Sequence, residues 1–175
     1  MHRVIIIGYM GSGKTTVGKA LSDTVGLPFY DLDWYIETRM RKTIPEIFAE
    51  RGEEGFRIME RNMLHEVAEF ENVIISCGGG TPCFFDNMEY LNRQGDTIYL
   101  KASPEVLHGH LQMARIERPL LSGKTDEEQR WFIEEQLRHR ELYYLQAKHA
   151  LEVNLLNTRE KIKTSVEQIR RMLNL

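Results

Sequence analysis

The sequence has little cysteine and no long apolar run. Its 175 residues include two cysteines, Cys77 and Cys83. Because two thiols outside any CxxC pair cannot form a disulfide framework, we expect a reducing, cytoplasmic environment. No apolar stretch approaches the roughly 20 residues that a membrane-spanning helix needs. The apolar run within the N-terminal MHRVIIIG is also too short for a signal peptide. We therefore predict no membrane partner.

The sequence also lacks a large excess of charge of either sign. The formal net charge is −3, so electrostatics give no reason to expect nucleic acid as a partner. Internal repeats and low-complexity tracts are absent, and 42% hydrophobic with 28% charged residues is typical of globular proteins. A chain of this length suits one domain, residues 1–175, which we predict to be a monomer.

Short apolar runs alternate with longer helical patterns along the chain. This alternation predicts a parallel sheet with helices on both faces, an α/β fold. Ligands bind beyond the carboxyl ends of the strands in such sheets, so functional residues are expected just after each apolar run. The predicted strands are 3–7, 28–32, 72–76, 97–101 and 150–154, and the predicted helices are 14–25, 33–40, 44–51, 53–70, 84–94, 104–113, 126–146 and 157–174.

A phosphate-binding motif follows the first strand. The segment 8-GYMGSGKT-15 matches G-x-x-x-x-G-K-[ST] between a predicted strand and a predicted helix. Its glycines let backbone N–H groups turn towards a phosphate, and the helix N-terminus adds its dipole. Lys14 can reach the β- and γ-phosphates, and Thr15 can ligate Mg²⁺. A glycine-rich turn beside a surface lysine is the alternative, and it agrees less well with the spacing and context.

The motif alone does not identify a reaction, because GTPases, motor ATPases and small-molecule kinases share it. The sequence has no NKxD-type motif with which a GTPase reads its base. The strand 72–76 ends in Ser76 and Cys77 rather than in an acid for Mg²⁺, as in a motor ATPase. These absences favour a small kinase.

The second predicted strand ends in two carboxylates, in the segment 31-DLD-33. Alternate residues of an extended segment face the same side, so Asp31 and Asp33 are expected to point together. One acid near Mg²⁺ and one near an acceptor hydroxyl would suit phosphoryl transfer. The competing interpretation is that Asp33 only caps the next helix.

Two arginines stand where a cation needs a partner. Arg140 continues an apolar stripe of the predicted helix 126–146, where a buried charge would need a partner. The alternative is that its guanidinium reaches water while the aliphatic part of the side chain packs. Arg57 lies in the first turns of the helix 53–70, where a cation opposes the helix dipole. It either pairs with a glutamate three or four positions away or binds an anion. Because arginine pairs bidentately with carboxylates, the two suggest a negatively charged acceptor.

Three consecutive glycines, Gly78, Gly79 and Gly80, follow the third predicted strand. A triplet is entropically costly to order, so we interpret it as a wall where a substrate lies against bare backbone rather than as a flexible turn. The segment 114–128 has the features of a long loop. Arg118 within it either neutralises the transferring phosphoryl group or is a solvated loop charge.

In its motifs and their order the chain resembles shikimate kinase along nearly its whole length. The resemblance implies ATP- and Mg²⁺-dependent phosphorylation of the 3-hydroxyl of shikimate. It implies a three-layer α/β/α fold with a five-stranded parallel sheet of order 2-3-1-4-5, a substrate-binding region at about 33–61 and a mobile lid at about 112–125. The motifs that carry it are 8-GYMGSGKTT-16, 31-DLD-33, 44-IPEIFAERGEEGFRIME-60, 78-GGG-80, 118-RPLL-121, and Arg140 followed by Tyr144.

The resemblance also implies a role for each matching residue. Lys14 and Thr15 serve the phosphates and Mg²⁺, and Asp31 supports the metal through water. Asp33 binds the acceptor hydroxyls and acts as the base, and Glu60 orients Arg57. The implied catalytic residues are Lys14, Asp33 and Arg118; the ATP-binding residues are Gly11, Ser12, Gly13, Lys14, Thr15, Thr16 and Arg118; the substrate-binding residues are Asp33, Arg57, Gly78, Gly79, Gly80 and Arg140, of which the two arginines hold the carboxylate.

The sequence departs from the family pattern at two places. Many members have an arginine near the adenine before the lid, and here His110 occupies that region. Arg41 stands where glycine is common, which we expect to alter only a turn. Two other functions compete with shikimate phosphorylation: a related kinase acting on gluconate, and a nucleotide-binding module without catalysis. The combination of DLD, GEEGFR and GGG argues against the first, and the presence of Lys14, Asp33 and Arg118 against the second.

Overall fold

The chain forms one parallel sheet, in a computed structural model that describes residues 1–114 and 121–175. The sheet has five strands in the order β2-β3-β1-β4-β5, which confirms the predicted order. All four strand pairs are parallel. The strands are β1 (Arg3–Ile7), β2 (Phe29–Asp31), β3 (Val73–Ser76), β4 (Asp96–Lys101) and β5 (His149–Glu152).

Helices connect the strands at close to the predicted positions. Helices α1 and α5 match the predicted bounds, whereas the predicted helices 44–51 and 53–70 form one element that breaks at Gly52, where φ is 68° and ψ is 179°. A short 3-10 helix, Thr81–Cys83, delays the start of α4. The helices are α1 (Lys14–Val25), α2 (Leu32–Met40), α3 (Ile44–Ala68), α4 (Asn87–Gln94), α5 (Pro104–Met113), α6 (Asp126–Tyr144) and α7 (Arg159–Leu173).

The central strand β1 explains why the layers stack as they do. All five of its residues are buried, so both of its faces are covered. Continuous burial of this kind requires helices on both sides of the sheet, because alternate side chains point to opposite faces. The carboxyl ends of β1, β2 and β3 therefore open onto one edge of a packed core, where the predicted site residues follow.

Arg41 ends helix α2 in an unusual backbone conformation. Its φ is 53° and ψ is 37°, and its N–H donates to the carbonyl of Glu37. This left-handed region favours glycine at the ends of helices. The expectation that Arg41 alters only a turn agrees with this geometry.

No helix in the two described stretches of the chain is both long and apolar enough to cross a membrane. Residues 115–120 of the predicted lid, including Arg118, lie outside the described residues.

Candidate active site

The phosphate loop joins the end of β1 to the start of α1. Gly11 and Gly13 adopt positive φ angles of 81° and 97°, which a residue with a side chain rarely adopts. Lys14 begins α1, and its ammonium group donates to the carbonyl oxygens of Gly8 at 2.8 Å and Tyr9 at 2.9 Å. The loop thus places a cation and a helix N-terminus together, which suits a phosphate.

The predicted metal ligands lie within hydrogen-bond distance of each other. The Thr15 hydroxyl donates to Asp31 Oδ2 at 3.1 Å. The other oxygen of Asp31 accepts from the backbone N–H of Trp34 at 3.1 Å and so caps helix α2. The capping role considered for Asp33 therefore belongs to Asp31.

Asp33 lies in the first turn of α2 and not on an extended strand. We predicted that Asp31 and Asp33 would point together because they alternate along a strand. That reason is wrong, because β2 ends at Asp31 and α2 begins at Leu32. Both carboxylates nevertheless line the same cleft. Burial raises the pKa of Asp33 to about 6, and the negative charges of Asp31 and Glu60 add to the rise while Lys14 opposes it. A carboxylate with such a pKa suits a general base near neutral pH.

The glycine triplet makes room for three charged side chains. A Cβ placed on Gly78 would lie 3.0 Å from Asp33 Oδ1. On Gly79 it would lie 3.3 Å from Arg140 Nη1, and on Gly80 it would lie 2.6 Å from Arg57 Nη2. None of the three adopts a positive φ. The space that these side chains need is thus one reason for the triplet. The substrate wall stays a prediction, and Gly78 and Gly79 line the cleft in which it would lie.

Arg57 is held by carboxylates of its own helix. Its Nη1 donates to Glu60 Oε1 at 3.0 Å, and Glu53 lies 3.8 Å from its Nε. The guanidinium also lies 4.0 Å from the centre of the Phe84 ring. Glu60 is only 1% exposed, and its second oxygen accepts from the Thr81 hydroxyl at 2.9 Å. The ion pair considered for Arg57 is thus present, and it leaves the guanidinium beside Gly80. The two alternatives do not exclude each other, and anion binding by Arg57 stays a prediction.

Arg140 lies over the ring of Tyr9 at 5.9 Å and next to Gly79. Tyr144, one helical turn further along α6, is fully buried and donates its hydroxyl to the Gly79 carbonyl at 2.5 Å. The Tyr9 hydroxyl in turn donates to Gln136 at 2.5 Å. The motifs did not point to Thr81 or Gln136, although Thr81 directly follows the triplet and Gln136 lies four residues before Arg140.

A cleft of about 860 Å³ connects most of these groups. Among the described residues, Arg57 and Glu60 are not part of its lining. Ser12 is buried within the loop, with no hydrogen-bond partner for its hydroxyl among the residues that the structure describes. Gly80 and Arg140 are also not in its lining, although both lie next to Gly79, which is. The predicted site residues that line it are Gly11, Gly13, Lys14, Thr15, Thr16, Asp31, Asp33, Gly78 and Gly79.

Comparison with protein families and known sequences gives one consistent result. The family model described as shikimate kinase matches residues 10–173. A shikimate kinase of Bacteroides fragilis is 54% identical over 175 residues, which cover 100% of this chain and 98% of that protein.

Solved structures agree with the sequence comparison. A crystal structure of shikimate kinase from Bacteroides thetaiotaomicron superimposes with a TM-score of 0.95 at 52% identity and covers 99% of both chains. Shikimate kinase from Acinetobacter baumannii in complex with shikimate has a TM-score of 0.84 at 30% identity, with 99% of this chain and 94% of that chain covered.

Proposed function

The chain belongs to the shikimate kinase family and is an ATP-dependent kinase, and we propose that the cleft behind the phosphate loop is where it phosphorylates the 3-hydroxyl of shikimate. One observation supports placing this reaction in the cleft. The three glycines of the triplet face Asp33, Arg140 and Arg57 in turn, so a base and two carboxylate-binding groups converge beside the phosphate loop. A ring that bears hydroxyls and one carboxylate matches this set of groups.

The phosphate loop supplies the nucleotide half of the proposed site. The N-terminus of α1 and the backbone N–H groups of the loop would bind the phosphates of ATP. The Lys14 ammonium would neutralise charge that develops on the transferred phosphoryl group. By the family resemblance, Arg118 would add a second cation from the lid and Thr16 would complete the phosphate contacts.

Mg²⁺ fits the donor set at the start of this site. Thr15 and Asp31 present a hydroxyl and a carboxylate 3.1 Å apart, and oxygen atoms are the ligands that Mg²⁺ prefers. These two residues would hold the ion together with the phosphates and water, with Asp31 acting through water. When bound, Mg²⁺ supplies charge neutralisation at the β- and γ-phosphates.

The acceptor half of the site consists of Asp33 and the two arginines. Asp33 would accept the proton of the 3-hydroxyl as that oxygen attacks the γ-phosphorus, and ADP leaves. Arg57 and Arg140 would bind the shikimate carboxylate, because guanidinium groups pair with carboxylates through two parallel hydrogen bonds. The Glu60 carboxylate would keep Arg57 in place, as the 3.0 Å contact between them supports.

We also propose that the enzyme acts as a monomer. Cys77 and Cys83 are both free thiols, which supports the proposal of a reducing cytoplasmic location. Small molecules, ATP and shikimate, are the proposed partners.

The substrate assignment can be tested with a coupled assay of ADP release. We expect robust turnover with shikimate and little with gluconate or nucleoside monophosphates. The gluconate arm tests the related kinase that the sequence left open. ADP release with shikimate no faster than in a blank without acceptor would refute the assignment and favour a nucleotide-binding module.

Replacing Arg140 with alanine should raise the KM for shikimate about 10- to 100-fold, because charge-assisted hydrogen bonds are worth about 1.5–3 kcal/mol. The KM for ATP should stay within about threefold. Arg138→Ala is the matched control, since Arg138 lies two residues away with its side chain 70% exposed and paired to Glu135. Equal increases of both KM values in Arg140→Ala would instead indicate a purely structural arginine.

A further inference from the structure

We propose that His110 is a positioning residue of the nucleotide site, which ties the phosphate loop to the segment after β5 through two backbone hydrogen bonds. This inference rests on the proposal that the phosphate loop binds ATP. It gives a role to His110, one of the two residues at which the sequence departs from the family pattern.

The imidazole of His110 lies between two backbones that are distant in sequence. His110 is in the last turn of α5, and its Nδ1 lies 2.6 Å from the carbonyl oxygen of Gly11. On the other side of the ring, the backbone N–H of Leu156 donates to Nε2 at 2.8 Å. One side chain therefore joins α5, the phosphate loop and the segment after β5.

These two partners define the protonation state of the ring. The Gly11 carbonyl can only accept, so Nδ1 must carry a proton. The Leu156 N–H can only donate, so Nε2 must be unprotonated. His110 is thus a neutral imidazole with its proton on Nδ1. It supplies no positive charge, in contrast to the arginine that many family members have in this region.

The side chains that pack near the His110 ring also contact the phosphate loop. Leu156 covers Gly13, where an added Cβ would lie 2.5 Å from Leu156 Cδ1. Leu111, next to His110 on α5, covers Gly11, where an added Cβ would lie 2.9 Å from Leu111 Cγ. Both glycines have the positive φ angles that turn the loop. His110 therefore acts on the loop directly at Gly11, beside Leu111, and indirectly at Gly13, through the Leu156 that it holds.

Two consequences for the nucleotide follow from this arrangement. A carbonyl oxygen aimed at a phosphate would repel it, and the Gly11 oxygen is instead engaged by the imidazole N–H. The neighbouring end of the cleft is lined by His110, Met113, Ala114 and Leu156, which are uncharged and mostly apolar. Such a wall suits the flat face of a nucleotide base, held by packing without a cation.

The test compares two variants that differ in hydrogen-bonding capacity. His110→Phe keeps a ring but removes both hydrogen bonds, whereas the amide of His110→Gln can donate one and accept one. We expect His110→Phe to raise the KM for ATP and the Kd for ADP, measured by calorimetry without shikimate, about tenfold. The KM for shikimate should stay within about twofold, and His110→Gln should restore most of the nucleotide affinity.

A spectroscopic measurement on the unaltered protein covers the case in which a variant does not fold. Imidazole ¹⁵N spectra, with the His110 signals identified by through-bond correlation to its assigned backbone, should show the neutral form with its proton on Nδ1. A proton on Nε2, or a charged ring at neutral pH, would overturn the proposal.

The kinetic outcomes also separate this proposal from the one on which it rests. Unchanged nucleotide affinity in His110→Phe, or equal losses for ATP and shikimate, would overturn the positioning role. If Lys14→Met still abolished turnover, the ATP site itself would stand. If neither variant changed turnover or the KM for ATP, the assignment of the phosphate loop as the ATP site would fail as well.

Discussion

Replacing Lys14 with methionine should lower kcat about 10³-fold. Methionine keeps an unbranched side chain of similar size but removes the ammonium group. That group is held at the phosphate loop by the Gly8 and Tyr9 carbonyls, where it can stabilise charge on the transferring phosphoryl group. Removal of one preorganised group of this kind costs about 10²–10³ in rate, and charge neutralisation in phosphoryl transfer ranges higher.

The same substitution should shift the pH dependence of the remaining activity. The Lys14 charge lowers the pKa of Asp33, so its loss should move the acid limb of the rate profile to higher pH. Lys163→Met, at an exposed position of α7, is the matched control and should keep kcat within about twofold. A loss of less than tenfold in a folded Lys14→Met protein would remove Lys14 from the proposed role.

Replacing Asp33 with asparagine should lower kcat about 10²-fold or more, because the amide cannot accept the hydroxyl proton. The amide can still hydrogen-bond to hydroxyls, so the KM for shikimate should change much less than kcat. Steady-state kinetics at saturating ATP would measure both. An unchanged kcat would exclude Asp33 as the base.

The pH profile provides an independent check on Asp33. With a pKa of about 6, the carboxylate loses its basic form as the pH falls below that value. Therefore kcat/KM for shikimate should fall about tenfold per pH unit there. Phosphate groups titrate near pH 6 as well, so the Asp33→Asn profile serves as the control. If both proteins had the same acid limb, the limb would come from titration of ATP and not of Asp33.

The stability of Asp33→Asn distinguishes a catalytic loss from a folding defect. The folded-state pKa of about 6 lies above the ordinary value of 3.8. The charged carboxylate therefore destabilises the folded protein at pH 7, above both values, and this penalty disappears as the pH falls through them. Removing the charge should leave the melting temperature at pH 7 unchanged or higher. A marked drop would mean that Asp33 supports the fold through contacts of another kind.

Much of the fold could be predicted because its signals are local. The bounds of α1 match the prediction, since the phosphate loop ends at Gly13 and Gly26 terminates the helix in a left-handed conformation. Helix α5 also matches, because Ser103 caps it and Pro104 suits its first turn. The short strands β2 and β5 were placed one or two residues off, because a strand of three or four residues has too few side chains to define its ends.

The candidate active site depends on contacts that local sequence signals do not predict. The order of residues establishes which groups are present: a phosphate loop with its characteristic spacing, two acids at the end of β2, and a glycine triplet after β3. Which of these groups contact one another depends on how the elements pack. The Thr15 hydrogen bond to Asp31, the approach of a charged side chain to each triplet glycine, and the His110 contacts with Gly11 and Leu156 join residues from different elements. Hydrogen bonds and steric limits act through space, so such pairings arise only when the chain has packed.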